Sequence, residues 1–551
     1  MNVGRVKKLL ALITALVVLS GCVGQQPTTD SDGDGVPDVE DMWPGRDDVA
    51  FGKTLTSMTI GEPETMDPAL AYDSASWNIL WQVTETLVTY EKGDASKVVP
   101  GLAESWDISS NGLTYTFKLR ENVTFSNGAV FNADDVVWSL QRVITMGLDP
   151  SWMLADFVDS IEKIDDYNVK ITLKFPYGGM IFVLACPVAT ILDKETYEAA
   201  GVTVEEGTEC EWCTENLIGT GPYVLKEWTH KERIVLEKNP TYWKGWEGKH
   251  VETIIIKEVS EVSTRMLALK AGDTDFAYIP TTHLTEALSG AGGDLYFERG
   301  QHSFVIIFVA MNNDLPPFDD KNFRVALSYA FDYDGIIDFV VKGYGIQARG
   351  PIPLGMNGND PDYESYMYHR DLDKAKSFYE KSKYYNNVPD ITLYYNQGND
   401  VRKQIMLTVK ENLSELGITN VTIQELDWPT FIQKIRGGEV AILNIGWAPD
   451  YNDPDDYVFP FLHSEGWNPA HYNNPVMDDL IMKARKLPSG PERWQIYYEI
   501  QRIDHEDAPY LWVYQSEHYT IRRAWVQGYY YNPIAGLKYY DIWKEVIPGI
   551  F

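Results

Sequence analysis

The chain has 551 residues, 44% of them apolar, and a formal charge of −33 from 80 acidic against 47 basic side chains. That length exceeds a single hydrophobic core and predicts two or three domains. So acidic a surface excludes nucleic acid and anionic membrane surfaces as main partners.

Residues 1–22 read as a processing segment: Arg5, Lys7 and Lys8 form a basic start, and Leu9 to Leu19 an apolar run. The run is shorter than the ~20 residues that span a bilayer, as in a secretory signal. Leu19-Ser20-Gly21-Cys22 resembles a lipobox, which predicts acylation of Cys22 and a lipid tether to the outer face of the cytoplasmic membrane. After a polar linker, Asp30, Asp32, Asp34, Asp38 and Asp41 occupy positions 1, 3, 5, 9 and 12 of a loop, with Gly35 at the turn and the Val36 carbonyl at position 7. This oxygen-rich spacing resembles the calcium loops of thrombospondin type 3 and dockerin repeats. Bound Ca²⁺ is expected as a stiffener of the tether, and no other cofactor.

The folded part is expected from Phe51. Thr54 to Ile60 alternates as a strand, Ser76 to Tyr90 carries apolar residues at helical spacing, and Leu113 to Leu119 alternates again. Asn127-Gly128 marks a turn, and Asn132 is placed to cap a helix through Val136, Val137 and Leu140. With Cys22 acylated, Cys186, Cys210 and Cys213 remain, an odd number outside the cytoplasm. A structural disulfide is expected, either within Cys210-Glu211-Trp212-Cys213 or from Cys186 to one of its members. No second pair of ligands accompanies the CxxC, so zinc is not expected there.

Val440 to Ile445 reads as a short buried strand that delivers Gly446-Trp447-Ala448-Pro449-Asp450 to a loop. Ligands of α/β folds bind beyond the carboxyl ends of strands. In that position Asp450 is an acceptor for a cation, Trp447 an apolar wall, and Gly446 a point of close approach for a ligand backbone. The same residues also suit a surface turn whose Asp caps the next helix.

An ordered series of segments resembles the family 5 extracellular solute-binding proteins, the dipeptide- and oligopeptide-binding components of ABC importers. It runs through Thr65-Met66-Asp67-Pro68, Pro100 to Trp106, Leu113 to Arg120, Gly219 to Tyr223, Asn239 to Gly245, Arg265 to Gly272 and Phe323 to Asp332. The resemblance covers the chain from about Phe51 almost to its end. Ser126-Asn127-Gly128 stands where the family commonly has His-Asp-Gly, which keeps the turn.

The resemblance implies an α/β, two-lobe periplasmic-binding-protein-like fold (class II) with an extra subdomain inserted in lobe 1. Carried over by motif, lobe 1 takes residues 51–97, 217–300 and 512–551, the insert 98–216 and lobe 2 301–511. It further implies that Asp450 receives a peptide's α-ammonium and that the main chain at Gly446 and Ala448 pairs with an extended ligand. Trp447, Trp428 and Trp77 are the aromatic wall candidates, and Arg402 the partner of the ligand carboxylate. Where some oligopeptide binders carry Arg, six residues before the aspartate, this chain has Asn444. A monomer that meets ABC permease subunits is expected. Oligosaccharide is the alternative ligand for the same fold and nickel a weaker one, with His463 and His471 expected to face solvent. A secreted glycoside hydrolase is the alternative of another class, suited by 17 Trp, 34 Tyr and the many carboxylates. It lacks support: the chain has nine His and no Gly-x-Ser-x-Gly elbow, His-Glu-x-x-His pair or phosphate loop. No enzyme activity is expected.

Overall fold

The computed structural model describes residues 52–289 and 294–545. The signal segment, Cys22 and the calcium-type loop at Asp30, Asp32, Asp34, Val36, Asp38 and Asp41 lie outside the described residues.

Two long neighbouring antiparallel strands, Leu295–Met311 and Tyr510–Arg523, tie the molecule together. Both are apolar at one end, where Ile306, Phe308, Val309, Leu511 and Val513 are buried. They lie in the middle of an 11-stranded sheet. On one side of the pair the order is Ile442–Trp447, Ile391–Asn396, Val421–Leu426; on the other it is Phe276–Ala277, Thr54–Thr59, Thr253–Glu258, Arg233–Lys238, Tyr223–Thr229. The fold is therefore mixed α/β with two lobes, one built on each half of the sheet. Register shifts between Arg299 and His302 and between His302 and Ile306 break the ladder where the strands pass from one half to the other, and such bulges let strands bend. Residues Tyr514 to Ser516 still pair with Gly345–Gln347 in the second half. The lobe boundary read at residue 512 thus falls inside the strand, ahead of that break.

A separate four-stranded antiparallel sheet, in the order Ala103–Ile108, Thr114–Leu119, Asn168–Leu173, Val158–Asp165, packs beneath the helix Ala133–Met146. That helix starts as its sequence requires. Asn132 accepts from the Asp134 N–H while Asp135 accepts from the Asn132 N–H, a reciprocal capping box. Phe117, Phe125, Val136, Leu140 and Ile171 form its core, and Tyr451 of the other lobe is buried in the same cluster.

The helix expected from Ser76 to Tyr90 spans Ser74–Val83 and gives way to the strand Val88–Glu91. Gly219 crosses so near that a Cβ there would lie 2.2 Å from the Val83 carbonyl oxygen, and this chain occupies the space of the next turn. The helix Lys321–Ala330 ends in the same abrupt way, at an extended Phe331, and Asp332 caps the following turn. Cys210 and Cys213 form the disulfide, and Cys186 is free and buried. No helix among the described residues is long and apolar enough to cross a membrane.

Candidate ligand site

Three strands of the second lobe, Ile391–Asn396, Val421–Leu426 and Ile442–Trp447, run parallel, so their carboxyl ends share one edge. From that edge come Arg402, in the first turn of the helix Asp400–Glu415, Trp428, at the start of the helix Trp428–Arg436, and the loop carrying Asp450. Sequence positions far apart converge because each parallel strand must return through a helix before the next begins.

Asp450 is 8% exposed. Its Oδ2 accepts a 2.8 Å hydrogen bond from Tyr72 of the first lobe, and Tyr72 in turn accepts from the Trp152 indole at 3.2 Å. The thiol of Cys186 donates to the Asp450 carbonyl at 2.8 Å. The Asp450 N–H donates to Asp456 Oδ2 at 2.9 Å, leaving Asp456 Oδ1 buried without a hydrogen-bond partner. Burial pushes the Asp450 carboxyl up to about 7, against the pull of its bonds to Tyr72 and Asp456. Asp456 is raised well above the usual carboxylate range by burial and by the charge of Asp450. Two other acids on this turn are neutralised: Arg493 grips Asp453 with two bonds, and Arg485 Nε donates to Asp455 at 3.0 Å.

Arg402 lies beyond the end of the middle strand of the three. Its Nη1 donates to Asn396 Oδ1 at 2.6 Å, and its guanidinium stands 5.9 Å from the Trp428 ring centroid. Burial lowers it to about 10, opposed by the phenols of Tyr514 and Tyr278. Among the described residues no carboxylate forms an ion pair with it. Trp428 is 47% exposed and Tyr278, from the first lobe, 53%.

The remaining sequence candidates take different places. Gly446 is crowded by its own sheet: a Cβ there would lie 2.4 Å from Ile307 Cδ1 on the paired strand, which would have to shift. Ala448 is exposed beside it. Trp77 gives its indole N–H to the Ala71 carbonyl at 2.9 Å and packs 6.3 Å from Tyr72, so it stands behind the residue that touches Asp450. Asn444 is fully buried and donates to the Phe308 carbonyl within the sheet. His463, expected at the surface, is 6% exposed and stacks on Phe459, while His471 pairs with Asp314. Tyr72, Trp152 and Asp456 escaped sequence reasoning, and Cys186 was read there only as a disulfide candidate. Only Asp456, six residues after Asp450, carried any signal.

The family model for bacterial extracellular solute-binding proteins, family 5 Middle, matches residues 97–469. The chain belongs to this family. This family 5 protein is 28% identical over 480 residues to the probable D,D-dipeptide-binding periplasmic protein DdpA of Escherichia coli, covering 86% of this chain and 90% of that protein. It is also 28% identical over 516 residues to heme-binding protein A of Haemophilus influenzae, covering 89% and 92%. Among solved structures, DppA of Helicobacter pylori in complex with the peptide STSA superposes with a TM-score of 0.78 at 25% identity, covering 90% of this chain and 99% of that one. The family is one of solute binders, not of enzymes.

Proposed function

We infer that this family 5 protein captures short peptides between its lobes and delivers them to an ABC importer on the extracytoplasmic face of the membrane. The observation that carries the reading is a pair of opposite, unneutralised charges along one strand edge: Asp450 with no cation, and Arg402 with no carboxylate, among the described residues. A peptide is a zwitterion, and a desolvated charge is tolerated when it is paired. Its α-ammonium meets Asp450 and its carboxylate Arg402, with Trp447, Trp428 and Tyr278 as walls. Tyr72 joins Asp450 from the opposite lobe, so a ligand held there stabilises the closed arrangement of the lobes. DdpA, a probable D,D-dipeptide-binding protein, and DppA, solved with the peptide STSA, agree with this reading.

The monomer is anchored by acylation at Cys22, and its acidic tether holds Ca²⁺ through Asp30, Asp32, Asp34, Asp38, Asp41 and the Val36 carbonyl. Both statements rest on the sequence of that segment.

Isothermal titration of the chain with di- to pentapeptides, beside short oligosaccharides and a nickel complex, tests the ligand class. Peptides with free termini are expected to bind and to be lost in Asp450→Ala. Binding of sugars alone, indifferent to Asp450, overturns the peptide reading and leaves the fold and family intact.

A further inference from the structure

The turn from Asp450 to Asp456 buries four carboxylates and is served by two arginines. Asp453 is held by Arg493 and Asp455 by Arg485, all four side chains being at most 3% exposed. Asp450 and Asp456 have no Lys, Arg or His in ion-pairing range among the described residues. They adjoin each other through the Asp450 N–H, and Asp456, fully buried, keeps Oδ1 without a partner. The fold thus neutralises the two middle acids of this turn with its own cations and leaves the outer two with a deficit of cations at the place where a ligand amine is expected. Aromatic rings stand around the deficit: Trp447 lies edge-on to Tyr72 at 6.2 Å, stacks on Trp467 at 5.8 Å, and points its indole N–H toward Asp456 Oδ2 at 3.5 Å. Ring faces favour ammonium groups over neutral ones.

We propose that Asp456 is a specificity-determining residue, supplying a second carboxylate so that the site prefers ligands whose amino end carries two cationic groups, such as a peptide beginning with a basic residue. The proposal rests on the assignment of Asp450 to the ligand amine. One ammonium satisfies one carboxylate; the second acid then holds a proton or remains a buried, unpaired charge. A second cation within reach replaces that proton and gains the pairing energy less the cost of ionising the buried acid. A mono-ammonium ligand gains nothing from Asp456. The residue therefore separates ligands by charge at the head, where the main-chain contacts of an extended peptide do not discriminate.

The test is titration of the full chain, at neutral pH, with peptides identical but for the first residue: lysine against norleucine, and diaminobutyrate against norvaline. The charged head is expected to bind at least about tenfold more tightly than its neutral isostere in the wild type. In Asp456→Asn the ratio falls to near one while the neutral-head peptide still binds. Asp456→Ser serves the same comparison where the Asn variant does not fold. A wild-type ratio near one, or a ratio unchanged in a folded Asp456 variant, overturns the inference and leaves the peptide reading standing. Binding of a diamine such as putrescine in an Asp456-dependent way, with no peptide bound, upholds the inference and overturns the peptide reading. Failure of peptides and diamine alike overturns both.

Discussion

The phenol of Tyr72 donates its hydrogen bond to Asp450 Oδ2 across a separation of 378 residues, joining the first lobe to the loop of the second. A donor to the ionised form of an acid favours that form. Tyr72→Phe is therefore expected to raise Asp450 further above about 7. Since an ammonium needs the ionised acid, the midpoint of the pH dependence of peptide binding moves upward. Affinity at neutral pH falls by about 1.5–3 kcal/mol, the usual range for a hydrogen bond to a charged group. Titrations of wild type and variant over a pH series check this, and an unmoved midpoint contradicts it.

Arg402 should read the far end of the ligand. Arg402→Gln is expected to weaken peptides with a free carboxylate by about tenfold to a hundredfold, in keeping with a lost charge-assisted pair. The same peptides with an amidated terminus should bind wild type and variant alike. Equal losses for both forms would place the guanidinium in a packing role beneath Trp428.

Arg485 bridges the inserted sheet to the second lobe. Nη2 bonds Asp156 at 2.9 Å, Nε bonds Asp455 at 3.0 Å, and the guanidinium lies 3.9 Å from the Phe459 ring centroid and 4.5 Å from that of Phe157. Arg485→Met leaves Asp455 fully buried and unpaired, which should lower stability by about 3–5 kcal/mol. Adding Asp455→Asn should restore most of it. Denaturant melts of the two variants decide the point, and a double variant no more stable than the single one speaks against the ion pair as the cause.

Asp504, behind the sheet in the second lobe, is 1% exposed, accepts from the Trp512 indole at 2.7 Å, and is raised by burial to about 8. Its unfolded value is about 3.9, so the folded state binds the proton more tightly, and this group's contribution to stability falls as pH rises from about 4 to 8. Asp504→Asn should match wild type near pH 4, gain on it across that window, and stay ahead by several degrees of melting temperature above about pH 8. Peptide affinity should not change, because Asp504 lies outside the cleft. A constant difference across pH would contradict the buried charge as its source.

By itself the sequence determined the α/β class, the two-lobe architecture and several of the strands. Period-two alternation at Thr114–Leu119 and capping chemistry at Asn132 are local properties, legible without coordinates. The strand that delivers Asp450 is legible for the same reason: a β-branched run closed by Gly446 and turn residues. The crowding at Gly446 was not legible, since Ile307, the side chain that a Cβ there would meet, comes from a strand more than a hundred residues earlier. Helix length at Val83 escaped because Gly219, from another segment, takes the room for a further turn. Only the tertiary structure decided which charges are paired. Arg485 and Arg493 reach back to Asp455 and Asp453 but leave Asp450 and Asp456 bare, and Tyr72 comes from the other lobe to Asp450. Burial and pairing depend on contacts between distant segments, and those contacts set the electrostatics of the site.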